Sequence, residues 1–84
     1  MNMKQQELNK NYSTSDLSLA TVLSLYNPIE SIDRTNPRKA LFVFKNTSSL
    51  KKTIDEYYRD EIRISPQQYF NQLRVIKARL YAER

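Results

Sequence analysis

The run Ala40-Leu41-Phe42-Val43-Phe44 constrains this chain most, because it is apolar throughout, ends in aromatic and β-branched residues, and is too short for a buried helix. It reads as a strand, and a strand needs a partner. Ile29 to Arg34 alternates imperfectly between apolar and polar, and Thr35-Asn36-Pro37-Arg38 supplies turn residues between the two segments. The sequence therefore predicts a two-stranded antiparallel hairpin. Such a hairpin is marginal by itself, so helices must cover its apolar face.

Three helices are expected to do so. Ser13-Thr14-Ser15-Asp16 resembles a helix start, with capping-box-like spacing between Ser13 and Asp16 and Ser15 as a further candidate cap. Leu17, Ala20, Leu23 and Leu25, with Val22 and Tyr26, then make an apolar first helix that Asn27-Pro28 ends. Asn46-Thr47-Ser48-Ser49 caps a second, in which Leu50, Ile54, Tyr57 and Tyr58 share one side. After the short extended connector Ile62-Arg63-Ile64, Ser65 caps a third helix with proline at its first position. There Tyr69, Leu73, Ile76 and Leu80 form an apolar stripe. The short connector predicts antiparallel neighbours for helices two and three. The expected class is α+β, in the order α-β-β-α-α, with residues 1–11 a loose polar tail and residues 12–84 one domain.

With 84 residues the chain has room for a single core, and its 39% apolar and 27% charged content suits a folded domain. It contains no cysteine, which removes disulfides and agrees with a reducing, cytoplasmic setting. No apolar run is long enough to span a bilayer, and the N-terminal segment lacks the apolar centre of a secretory signal. A soluble protein without membrane contact is expected.

The segments Asn11-Tyr12-Ser13-Thr14-Ser15-Asp16-Leu17, Lys39-Ala40-Leu41-Phe42-Val43-Phe44 and Pro66 to Leu73 continuing through Lys77-Ala78-Arg79-Leu80-Tyr81 resemble a small uncharacterised bacterial family, a domain of unknown function. The resemblance covers Tyr12 to Tyr81. It implies a compact α+β domain of bacterial, candidate-phylum or mobile-element origin, and it brings no activity and no site residue with it.

Absences close off most chemistry. Without histidine or cysteine there is no Ser-His-Asp or Cys-His arrangement and no usual zinc ligand set. Without glycine there is no phosphate-cradling loop, dinucleotide fingerprint or nucleophile elbow. The acids Asp55, Glu56, Asp60 and Glu61 would be the only dense metal-ligand group, but Lys51, Lys52, Arg59 and Arg63 interleave with them as ion-pair partners on a solvated face. Arg74, Lys77, Arg79 and Tyr81 are residue types that recombinases use on phosphodiesters, yet Arg79 projects away from Arg74 and Lys77. No enzyme activity, cofactor or metal is expected.

Binding suits the same region better. The chain carries 14 Lys and Arg against 9 Asp and Glu, a net charge of +5. On a helical wheel Gln67, Asn71, Arg74, Lys77, Tyr81 and Arg84 gather beside the apolar stripe of helix three. Cations there would attract phosphate, Gln and Asn would reach base edges, and Tyr81 would stack on a base. Arg34, Arg38 and Lys39 at the hairpin turn would extend the surface. The expectation is a small accessory protein that binds nucleic acid or a ribonucleoprotein. The same face also fits a helix that simply presents cations to water near its C-terminus. A rival reading is a protein-interaction module, whether subunit, adaptor or mobile-element inhibitor, since Tyr69-Phe70 and the open edges of a small sheet suit a protein partner or a homodimer.

Overall fold

A computed structural model describes residues 10–82. Six elements follow one another: β1 (Asn11–Thr14), α1 (Leu17–Tyr26), β2 (Ile29–Asp33), β3 (Leu41–Lys45), α2 (Ser48–Tyr58) and α3 (Pro66–Ala82). The class is α+β, as the pattern predicts. The sheet, however, has three strands in the order β1-β3-β2, with both outer strands antiparallel to β3. The expected two-stranded hairpin is corrected to this sheet, and the order α-β-β-α-α to β-α-β-β-α-α.

The added strand is β1, which pairs Tyr12 with Phe44 and Thr14 with Phe42. Its residues look like helix caps, but the second edge of β3 would otherwise leave backbone N–H and C=O groups unpaired. Tyr12 and Thr14 are half-buried while Asn11 and Ser13 are exposed, so the strand alternates as a half-covered strand should. Burial, ahead of the nearby Tyr58 and Asp16, raises the pKa of the Tyr12 phenol. Only the end of the Ser13 to Asp16 stretch starts the helix: the Asp16 carboxylate accepts a hydrogen bond from the Leu19 amide at 3.1 Å. The strand takes in Asn11, and the carbonyl of Lys10 accepts from the Asn46 amide at 2.8 Å. Residues 1–9 of the expected tail lie outside the described residues.

The imperfect alternation of the first hairpin strand has a structural cause. Ile29 and Ile32 are three apart and would face opposite sides of a regular strand. A register shift between Ile29 and Ser31 realigns them, so that Ile29 stands opposite Phe44 and Ile32 opposite Phe42. Both isoleucines then pack against the core.

The core is built from Leu19, Ala20 and Leu23 of α1, Phe42 and Phe44 of β3, Leu50 of α2 and Ile76 of α3. Five successive residues of α1, Leu19 to Leu23, are buried, and Thr21 among them satisfies its hydroxyl on the Leu17 carbonyl at 2.7 Å. A helix buried on so many sides is the centre of the fold. The sheet and both later helices close around it, and α2 and α3 each pack on α1 and not extensively on each other. Helices two and three, expected as antiparallel neighbours, share no extensive contact among the described residues. A shared hydroxyl links them: Ser18 Oγ lies 3.0 Å from Tyr57 Oη of α2 and accepts from Tyr69 Oη of α3 at 3.3 Å. A second polar tie runs from Gln72 Nε2 to Ser24 Oγ at 2.9 Å.

Caps fall where the composition puts them. Thr47 Oγ1 accepts from the Leu50 amide and Ser65 Oγ from the Gln68 amide, both at 3.1 Å. The C-terminus of α2 is less ordinary. Asp60 sits at φ 60°, its amide donates to the Tyr57 carbonyl, and the Glu61 amide donates to the Glu56 carbonyl at 2.8 Å. These are the two bonds of a Schellman motif, with aspartate at the left-handed position that glycine ordinarily fills. A chain without glycine has to use such a substitute.

Candidate nucleic-acid interface

Helix α3 buries Ile76 fully and rests Leu80 on the core margin, which fixes how the helix is rotated. Leu73, expected in the apolar stripe, is only half-buried and lies outside the central cluster. With Ile76 inward, the opposite side must face solvent. There Phe70, Arg74, Lys77 and Tyr81 fall within about 60° of one another, at about 100° per residue, and extend over about 16 Å of helix. All four are exposed, Phe70 by 55% and Tyr81 by 57%. Two cations thus stand between two partly exposed aromatic rings.

Gln67 and Asn71 flank this stripe, both exposed, and Asn71 Oδ1 accepts from Arg74 Nη1 at 2.6 Å. The asparagine steadies the guanidinium on the outer face. Phe70 is braced edge-on by Tyr69, with ring centroids 5.5 Å apart. No carboxylate occurs between Pro66 and Ala82, so nothing within the helix neutralises Arg74 or Lys77. Phe70 enters the surface through its position on the wheel, between Lys77 and Arg74. The aromatic pair Tyr69-Phe70 was the signal for it, and the structure divides that pair between an inner and an outer ring.

The hairpin turn behaves differently. Arg34 is half-buried, and its Nη2 donates to the carbonyls of Leu80 at 2.7 Å and Arg79 at 3.3 Å. Its guanidinium meets the negative end of the α3 dipole and anchors the hairpin to the helix. Arg34 is therefore engaged with backbone, and the turn is brought to the C-terminal end of α3. Arg38 and Lys39 are exposed on that turn. Asn36 shapes their backbone, since its side chain accepts from the Arg38 amide at 2.9 Å and its carbonyl from the Lys39 amide. Asp33 accepts from both the hydroxyl and the amide of Thr35, hydrogen bonds that hold its carboxyl below the usual carboxylate range. Arg84 lies outside the described residues.

The acids of α2 and its end do not assemble. Among the described residues no three Asp or Glu side chains come together closely enough to hold a metal ion. Arg59 Nε lies 3.5 Å from Glu61 Oε1, beyond the helix and not along it as the spacing predicts. Among the described residues no helix is long and apolar enough to cross a membrane.

The sequence pattern of a family described as Domain of unknown function (DUF5659) matches residues 9–82. The chain belongs to this family. The match takes in every element from β1 to α3. No curated protein and no solved structure matches the chain. The segments that suggested the family have a clear structural place: the Asn11 to Leu17 stretch runs from β1 through the Asp16 cap into α1, the Lys39 to Phe44 stretch leads into and forms most of β3, and the Lys77 to Tyr81 stretch carries the carbonyls that receive Arg34.

Proposed function

We propose that this domain is a non-enzymatic accessory protein that binds nucleic acid, alone or within a ribonucleoprotein, through the outer face of α3. The observation that carries this reading is the exposed sequence of ring, cation, cation and ring formed by Phe70, Arg74, Lys77 and Tyr81 on a helix without carboxylates. Cations attract the phosphate chain irrespective of sequence, and open rings stack on bases that are not already paired. That combination favours single strands over duplex. Gln67 and Asn71 beside it add hydrogen-bonding capacity, and Arg38 and Lys39 add charge at the hairpin turn. The cysteine-free composition suits a cytoplasmic setting.

The test is fluorescence anisotropy of labelled single-stranded and duplex oligonucleotides over a salt series. Two to four neutralised phosphates give a slope of log affinity against log salt of about −1.4 to −2.8 for a single strand. Arg74→Ala with Lys77→Ala should weaken binding and flatten that slope, whereas Phe70→Ala should weaken it and leave the slope unchanged. No binding at low salt would end the proposal. The exposure of Phe70 together with Val75, 51% exposed, favours a second reading, a protein partner on the same helix. Capture of one protein from nuclease-treated extract, lost on Phe70→Ala, would support that reading instead.

A further inference from the structure

Between α2 and α3, whose tyrosines share the Ser18 hydroxyl, lies a groove of about 520 Å³, with Val22 of α1 among the residues that line it. Its volume lies within the range of small-molecule sites. Three of the chain's 6 tyrosines, Tyr57, Tyr58 and Tyr69, line it. Tyr57 and Tyr58 stand at 86° to each other with centroids 5.3 Å apart, two perpendicular walls of a box. Tyr57 and Tyr69 are held by their hydroxyls on Ser18, so two of the three rings are fixed before any ligand arrives.

The groove's lining is acidic where the protein is basic, and the nearby Arg63 Nη1 donates to the Asp60 backbone carbonyl at 3.4 Å and not to its carboxylate. Among the described residues no Lys or Arg lines the groove, although the chain carries +5 overall. Its one ionisable carboxylate is Asp60, which the Schellman turn holds at the end of α2 and which has no ion pair or side-chain hydrogen bond among the described residues. Aromatic rings attract a cation through their quadrupoles, most strongly one that is weakly hydrated, and a nearby carboxylate adds to the attraction.

We propose that the groove between α2 and α3 is a binding site for a small alkylammonium compound, with the cationic head among Tyr57, Tyr58 and Tyr69 and its charge balanced by Asp60. The site is separate from the outer face of α3 and does not depend on it.

Choline and its neutral isostere 3,3-dimethylbutan-1-ol fill the same volume and differ in the charge. Titration of the full chain with each, followed by amide and tyrosine resonances, should give saturable shifts confined to the groove and an affinity for choline about ten-fold higher. Asp60→Asn, which tolerates the same left-handed backbone, should remove most of that preference. Tyr58→Leu alters a ring that is 67% exposed, so the fold survives, and should weaken choline more than the alcohol. Added salt should weaken choline far less than an oligonucleotide, because one charge pair is screened in place of several released counterions. Equal affinity for the two compounds, no saturable shift, or an unchanged preference in Asp60→Asn would overturn the assignment.

Discussion

Replacing Asp60 by glycine relieves the only positive φ among the described residues, and replacing it by alanine intensifies the strain. For an L-residue the left-handed region costs roughly 1–2 kcal/mol, with aspartate nearer the lower figure because its short polar side chain is tolerated there. Glycine removes that cost but also loosens the unfolded chain, an opposing effect of about 0.4–1 kcal/mol. Asp60→Gly should therefore stabilise by about 0.5 kcal/mol, and Asp60→Ala should destabilise by a similar amount. Both variants delete the same carboxylate, so charge cancels in the comparison. The quantity to measure is the gap between them, about 1 kcal/mol, in urea unfolding followed by far-UV circular dichroism. The slope with urea should stay constant, because the surface exposed on unfolding is unchanged. For a domain of this size the gap corresponds to about 4–8 °C in midpoint temperature. An alanine variant as stable as the glycine variant would refute the account of this turn.

Phe42→Ala empties a fully buried position and should cost about 3–5 kcal/mol, whereas Leu73→Ala, outside the central cluster, should cost about 1 kcal/mol; similar urea midpoints for the two would contradict this view of the core. Ser18→Ala leaves the hydroxyls of Tyr57 and Tyr69 without their shared partner and should destabilise by about 1 kcal/mol, a cost that vanishes if water replaces it. The hydrogen bonds from Thr35 favour the charged form of Asp33, so they steady the hairpin turn above the ordinary carboxylate range and are lost as pH falls through the lowered pKa. Thr35→Val should raise the Asp33 pKa toward its ordinary value in a carboxyl NMR titration, and an unchanged value would remove the hydroxyl as the main cause.

What could be read from residues alone was what local chemistry dictates. β3 announces itself by an unbroken apolar run, Thr47 and Ser65 by being capping residues ahead of apolar periods, and Pro66 by its place at a first turn. β1 was hidden because strand formation there depends on the vacant edge of β3, a tertiary fact, while Ser13 to Asp16 carry the local signature of a cap. Tyr58 shares a side with Leu50 and Ile54 by its spacing, but the helix turns it outward. For the candidate surface, Gln67, Asn71, Arg74, Lys77 and Tyr81 share a face because they share one helix, where a wheel suffices. Arg34 could not be read in that way, since its partners lie 45 and 46 residues further along the chain.

That long-range clasp has a consequence for biosynthesis. Strands β1, β2 and β3 can pair as soon as residue 45 leaves the ribosome, but the carbonyls that grip the hairpin belong to a turn made some 35 residues later. Until then the nascent sheet has neither its clamp nor the Ile76 plug in its core. A growing chain stalled in that interval would offer chaperones and proteases a bare apolar surface that the finished domain conceals.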